Sequence, residues 1–109
     1  REPRPGIVRQ QIPAKILFED DDTLAFHDIH GKAPVHVLVI PKAHHENLLE
    51  TPDELSVALL RSVRRAARDT TIDRSGFRVV ANTGQDGGQS VFHLHFHVLG
   101  GRPLGWPPG

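Results

Sequence analysis

The sequence predicts an α+β fold, an antiparallel sheet with one main helix packed on its face. Three observations carry this. The run Val35-His36-Val37-Leu38-Val39-Ile40 is apolar and β-branched and closes at Pro41, as a buried strand does. Residues 51–66 combine a helix start with an apolar stripe at helical spacing. Residues 90–99 alternate, with His93, His95 and His97 set against Phe92, Leu94, Phe96 and Val98.

Taken in order, Arg1 to Gly6 holds two prolines and a glycine and reads as an irregular arm. Ile7 to Gln11 suits a short helical turn that ends before Pro13, because the residue preceding proline disfavours helix. Ile16-Leu17-Phe18-Glu19 and Thr23 to Ile29 are strand candidates joined by the acidic turn Asp20-Asp21-Asp22, which suggests a hairpin. In the third strand only His36 interrupts the apolar run.

Thr51-Pro52-Asp53-Glu54 opens the helix. Thr51 is the expected cap, Pro52 suits the first turn and Glu54 completes a capping box. Leu55, Leu59, Val63 and Ala66 form the apolar stripe, and Arg61, Arg64, Arg65 and Arg68 read as a solvated face. Phe77 to Ala81 is a fourth strand and Ser90 to Leu99 a fifth, with the turn-rich Asn82-Thr83-Gly84-Gln85-Asp86-Gly87-Gly88-Gln89 between them. Arg102 to Gly109, with three prolines and the single tryptophan, is an extended tail. One domain over residues 1–109 is the expectation.

Composition narrows the function. Thirteen basic and thirteen acidic residues cancel, which argues against nucleic-acid binding through a basic face. The absence of cysteine rules out disulfides and thiolate metal sites and suits a reducing compartment, so a cytoplasmic location is expected. No apolar run has membrane-spanning length, so no membrane partner is expected.

Eight histidines in 109 residues is the unusual number. On a strand His93, His95 and His97 share one face, about 7 Å apart on the strand rise. A neutral imidazole is a good nucleophile near pH 7. Attack on phosphorus also needs donors for phosphate oxygens and a proton for the leaving group, roles that neighbouring imidazoles can divide. Two rivals stay open on spacing alone. A His-x-His pair can bind zinc, although a third ligand on the same straight strand suits tetrahedral geometry poorly. The histidines can also be structural. His36, beside this strand, suggests a hydrogen-bonded relay, while His44 and His45 read as surface residues. Gly87-Gly88 allows close approach of backbone to an anion, and Ser90 offers a hydroxyl.

His93-Leu94-His95-Phe96-His97-Val98-Leu99 resembles the signature of the histidine triad superfamily. Ile12-Pro13-Ala14-Lys15, Ala25-Phe26-His27-Asp28-Ile29, Ala33-Pro34 through Pro41-Lys42, Asp86-Gly87-Gly88-Gln89-Ser90-Val91 and Trp106-Pro107-Pro108-Gly109 extend the resemblance to its nucleotide-binding branch. That resemblance implies a meandering antiparallel sheet and a homodimer with joined sheets. It implies hydrolysis of purine nucleoside phosphoramidates, cutting the P–N bond of AMP- or GMP-linked amines, with no metal or other cofactor. By the same resemblance His95 is the nucleophile, His97 and Ser90 contact phosphate and leaving group, and His36 and His93 back the nucleophile. Asp28 is the ribose acceptor, Asn82 and the Gly88 backbone contact phosphate, and Ile12, Phe26, Ile29 and Leu38 wall the base. Trp106 reaches toward the neighbouring subunit. Two departures stand out: Pro3-Arg4-Pro5-Gly6 lacks the usual aromatic residue, and His30-Gly31-Lys32 replaces a serine- and proline-containing loop. A nucleotide-binding regulatory module, a dinucleotide hydrolase and a nucleotidyl transferase are the alternatives within this resemblance.

Overall fold

The computed structural model describes residues 15–109; the expected arm at Arg1–Gly6, the helical turn at Ile7–Gln11 and the base wall at Ile12 lie outside them. Five strands form one sheet: β1 (Ile16–Glu19), β2 (Thr23–His27), β3 (Val35–Pro41), β4 (Phe77–Val80) and β5 (Phe96–Gly100). Their order is β1-β2-β3-β5-β4, with every neighbouring pair antiparallel. Helix α1 (Asp53–Asp69) lies between β3 and β4 in the chain, preceded by a single 3-10 turn at Leu48–Glu50. Among the described residues no helix is long and apolar enough to cross a membrane.

Register sorts the side chains onto two faces, because directly paired residues point the same way. Ala25, Val39 and Phe96 form one row, and Val37 pairs with Val98 on the same face. Against this face α1 packs Leu59, Val63, Ala66 and Ala67. Leu59, Ala66, Val37, Val39, Ala25 and Val98 are fully buried, so the apolar stripe of the helix and the strand alternation close one core. The opposite face carries the row Phe26, Leu38, His97, Val80, together with His36 paired to Leu99. The sheet therefore divides the labour: one side is core, the other carries imidazoles.

Several boundaries differ from the sequence reading. The last strand begins at Phe96 rather than Ser90, because the chain before it bonds to the segment following β3 instead of to a ladder. Leu94 N–H donates to the His45 carbonyl at 2.7 Å. Burial still alternates from His93 to Gly100, so the polar and apolar sets keep their sides. Phe92 does not join the core anchor; it is 42% exposed. β2 stops at His27, where the Asp28 carboxylate takes the His30 N–H in a local turn, and β4 stops at Val80. The helix begins at Asp53 with Pro52 as its cap and no side-chain bond there. Thr51 is drawn away, its hydroxyl donating to the Asn47 carbonyl, and the capping role moves to Asn47 on the 3-10 turn. Arg65 is not simply solvated: its guanidinium lies 4.1 Å over the Phe18 ring.

The β1–β2 turn is tied to α1 by one buried hydroxyl. Asp20 Oδ1 accepts from Asp22 N–H, Thr23 N–H and the Thr23 hydroxyl. Since the Thr23 proton goes to that carboxylate, the Ser62 hydroxyl, 2.7 Å away, is the donor to Thr23 Oγ1. Thr23→Val leaves the buried Ser62 hydroxyl without this acceptor and removes one of three bonds to the exposed Asp20 carboxylate, and is expected to cost about 1–3 kcal/mol. A lower urea midpoint with unchanged slope would show it; an unchanged midpoint would contradict this account of the turn.

Candidate active site

Antiparallel pairing of β3 with β5 brings His36 and His97 one register step apart on the same face. Their rings meet: His36 Nε2 and His97 Nδ1 are 2.9 Å apart. His95 lies next to them, its ring centroid 5.0 Å from that of His97 in an edge-on arrangement.

Each proton in the cluster can be placed from partners that have only one possible role. A carbonyl only accepts and a backbone amide only donates. Lys32 N–H donates to His36 Nδ1 at 3.0 Å. The proton of neutral His36 is therefore on Nε2, from which it is donated to His97 Nδ1. His97 in turn keeps its own proton on Nε2. His95 Nδ1–H donates to the His93 carbonyl at 2.8 Å, so a neutral His95 keeps its lone pair on Nε2. His93 Nε2–H donates to the Pro41 carbonyl at 2.8 Å, and its Nδ1 faces His44 Nδ1 at 3.4 Å. His95 Nε2 is thus left bare and His97 Nε2 carries an N–H, on rings whose centroids are 5.0 Å apart.

Burial disfavours the charged forms of His36, His93 and His97. Desolvation is the main cause that pulls His97 down from 6.5 to about 4, helped by His95 and His36 and opposed by Asp28. Burial also lowers His36, against the pull of the Asp28 carboxylate, and lowers His93, against its bond to Pro41.

The other expected site residues are placed around this centre. Asp28 is half-buried at the end of β2, with Oδ2 3.6 Å from His36 Nε2. Phe26 and Leu38 are half-buried on the His97 row, while Ile29 is 57% exposed on the following turn. Asn82 Nδ2 donates to the Gly87 carbonyl at 2.6 Å, which braces the glycine turn. Gly88 has φ +75, a conformation that favours glycine, and its N–H is engaged with the Gln85 carbonyl within the turn. Ser90 is exposed between that turn and His93. Trp106 lies on the tail, 81% exposed and 5.9 Å from the Arg78 guanidinium.

Three contributors escape sequence reasoning. Gln89 Nε2 donates to the Glu46 and Val91 carbonyls, stapling the turn to the chain after β3. The Lys32 amide carries no side-chain signal at all. His44, read as a surface residue, is half-buried against His93. The irregular pairing that ties Leu94 N–H to the His45 carbonyl brings it there, and no residue-type pattern signals that pairing.

Asp28, His36 and His97 offer ligand atoms within 4.8 Å of one another. They suit a metal poorly. Coordination through His36 Nε2 would move its proton to Nδ1, where it would meet the Lys32 N–H, donor against donor. His93, His95 and His97 do not form such a cluster among the described residues, where Asp28, His36 and His97 are the one group whose ligand atoms come within that distance.

The HIT domain model matches residues 9–104. The chain belongs to the HIT family. It is similar to an uncharacterised HIT-like protein of Synechococcus elongatus, 52% identical over 106 residues, covering 94% of this chain and 92% of that one. It is 40% identical over 108 residues to a 14 kDa zinc-binding protein of Brassica juncea, covering 94% and 95%. The solved HIT family hydrolase of Legionella pneumophila superposes with TM-score 0.89 at 41% identity over 96% of both chains. The histidine triad nucleotide-binding protein of Candida albicans gives 0.80 at 32% identity, over 94% of this chain and 80% of that one. The five-stranded antiparallel sheet with one main helix is thus the HIT fold.

The depressed imidazoles of this HIT protein tie stability to pH. The unfolded chain takes protons near 6.5, whereas folded His97 does so only near 4. Stability is therefore full above about pH 6.5 and falls as pH drops toward about 4, where His97 finally protonates. An NMR titration should show His97 neutral at pH 5.5, with urea midpoints declining over the same interval. A His97 midpoint near 6.5 would contradict the arrangement.

Proposed function

We propose that this chain is a purine nucleoside phosphoramidate hydrolase working through a covalent intermediate on His95. The single observation that carries the reading is the division of protons: His95 presents a lone pair at Nε2 because its other nitrogen is bound to the His93 carbonyl. The same bond steadies the positive charge that the ring acquires once Nε2 bonds to phosphorus.

Two steps follow. His95 Nε2 bonds to the α-phosphorus and the P–N bond breaks. The leaving nitrogen takes one proton from solvent through the Ser90 hydroxyl and departs as the amine. Water then bonds to phosphorus, the P–Nε2 bond breaks, one proton returns to solvent and the nucleoside monophosphate is released. His97 Nε2–H donates to the phosphate oxygens throughout, joined by Asn82 and the glycine turn. Asp28 accepts from the ribose hydroxyls, since a carboxylate can take both. Phe26, Leu38 and Ile29, with Ile12, flank the base. The hydrolase and nucleotide-binding names of the Legionella and Candida proteins support this class of chemistry.

The reading includes a homodimer in the cytoplasm. β4 is an outer edge of the sheet, with Phe77 and Val79 exposed on it, and Val57 and Leu60 exposed on α1. A second copy added along that edge would cover them and would meet Trp106, because Arg78 on β4 holds the tail there through the Gly105 carbonyl at 2.7 Å.

The zinc-binding name of the Brassica relative makes a metal enzyme the second reading, with Asp28, His36 and His97 the ligands it would have to use. Release of amine from an adenosine 5′-phosphoramidate with a chelator present separates the two. Wild-type turnover should survive the chelator and fall on the order of 10³-fold or more in His95→Ala, with AMP binding retained. Turnover that requires added zinc would replace this reading with the metal enzyme. Turnover no faster than His95→Ala despite tight AMP binding would make the chain a nucleotide-binding module.

A further inference from the structure

The Lys32 amide that sets the His36 tautomer is itself held. Lys32 lies in the loop between β2 and β3 and belongs to no strand. Its carbonyl accepts from Arg102 Nη2 at 2.9 Å, while its N–H donates to His36 Nδ1. The two bonds sit on either side of the Lys32 Cα, so together they fix the backbone of that residue. Arg102 is aimed by its own neighbourhood, with Nη1 donating to the Pro103 carbonyl at 2.9 Å. Gly101 brings it into reach. At φ +93 this glycine adopts a conformation that side chains avoid, and a Cβ there would stand 2.9 Å from Pro34 Cβ, so the chain leaves β5 directly against the loop. A guanidinium keeps its charge and its donors at every pH the protein meets.

We propose that Arg102 is a positioning residue that locks the His36–His97 pair in one tautomer. By gripping the Lys32 carbonyl it keeps the Lys32 N–H on His36 Nδ1. His36 then donates from Nε2, and His97 must accept at Nδ1 and carry its N–H at Nε2. Released from Arg102, the loop amide leaves His36 Nδ1, and the His36 proton can occupy either nitrogen. With that proton on Nδ1, His36 Nε2 becomes an acceptor. His97 then donates from Nδ1 and turns a lone pair at Nε2 toward anionic phosphate, so attraction becomes repulsion. The catalytic consequence rests on the phosphoramidate reading; the tautomer does not. Anchoring of the tail is a separate matter, because Arg78 independently holds the Leu104 and Gly105 carbonyls.

The test uses the full chain with Arg102→Ala and Arg102→Lys, read by long-range ¹H–¹⁵N spectra of the imidazoles at neutral pH. Wild type should show Nε2–H at His36 and His97. Arg102→Ala should show mixed tautomers at both, and kcat for an adenosine 5′-phosphoramidate about tenfold lower with KM little changed. Arg102→Lys, which keeps a donor, should recover the single tautomer in large part. A single Nε2–H tautomer in Arg102→Ala would overturn the lock, whatever happens to Tm. Mixed tautomers in a chain whose wild type releases no amine would support the lock and tell against the hydrolase reading alone.

Discussion

A neutral imidazole has two nitrogens and one proton, so the group that accepts the proton decides which nitrogen keeps a lone pair. In His95 the acceptor is the His93 carbonyl, two residues back in the same chain. That bond needs the backbone to turn slightly out of ladder geometry before Phe96, and the structure supplies this by tying Leu94 N–H to His45 rather than to a strand. The bare nitrogen of His95 is thus a product of where a strand begins. A ladder extended to Ser90 would have sent the His93 carbonyl sideways to a neighbouring strand.

The remaining protons follow from the β3–β5 pairing. It places His36 beside His97, and the loop entering β3 puts the Lys32 amide on the far nitrogen of His36. Pro41, at the end of the same strand, takes the His93 proton. One strand therefore fixes the state of two histidines from its two ends. Burial on a sheet that is core on its other face keeps these rings neutral. A protonated pair here would hold two like charges within hydrogen-bond distance.

Much of this was legible before any coordinates. Alternation at residues 93–98, the apolar run 35–40 and the stripe Leu55, Leu59, Val63, Ala66 mark the faces, because side-chain period survives even where the ladder does not, and it fails only at Phe92. Resemblance pointed to Asp28 and His36, which the sheet brings within 3.6 Å of each other. What was not legible lies in tertiary contacts between backbone groups. The Lys32 amide and the Pro41 and His93 carbonyls have no residue-type signature, and each of them places a proton. The contact of His44 with His93 depends on the irregular pairing of Leu94 with His45, which has no sequence signature. The Thr51 cap failed because a competing acceptor, the Asn47 carbonyl, was one turn away.

The most direct test of the central claim is to quench the reaction with an adenosine 5′-phosphoramidate during turnover and map the modified peptide by mass spectrometry. The account predicts a nucleotidyl adduct on the peptide spanning residues 93–97, borne by His95 and absent in His95→Ala. Steady turnover with no adduct on His95, or an adduct carried by His97 or His93 instead, would contradict it.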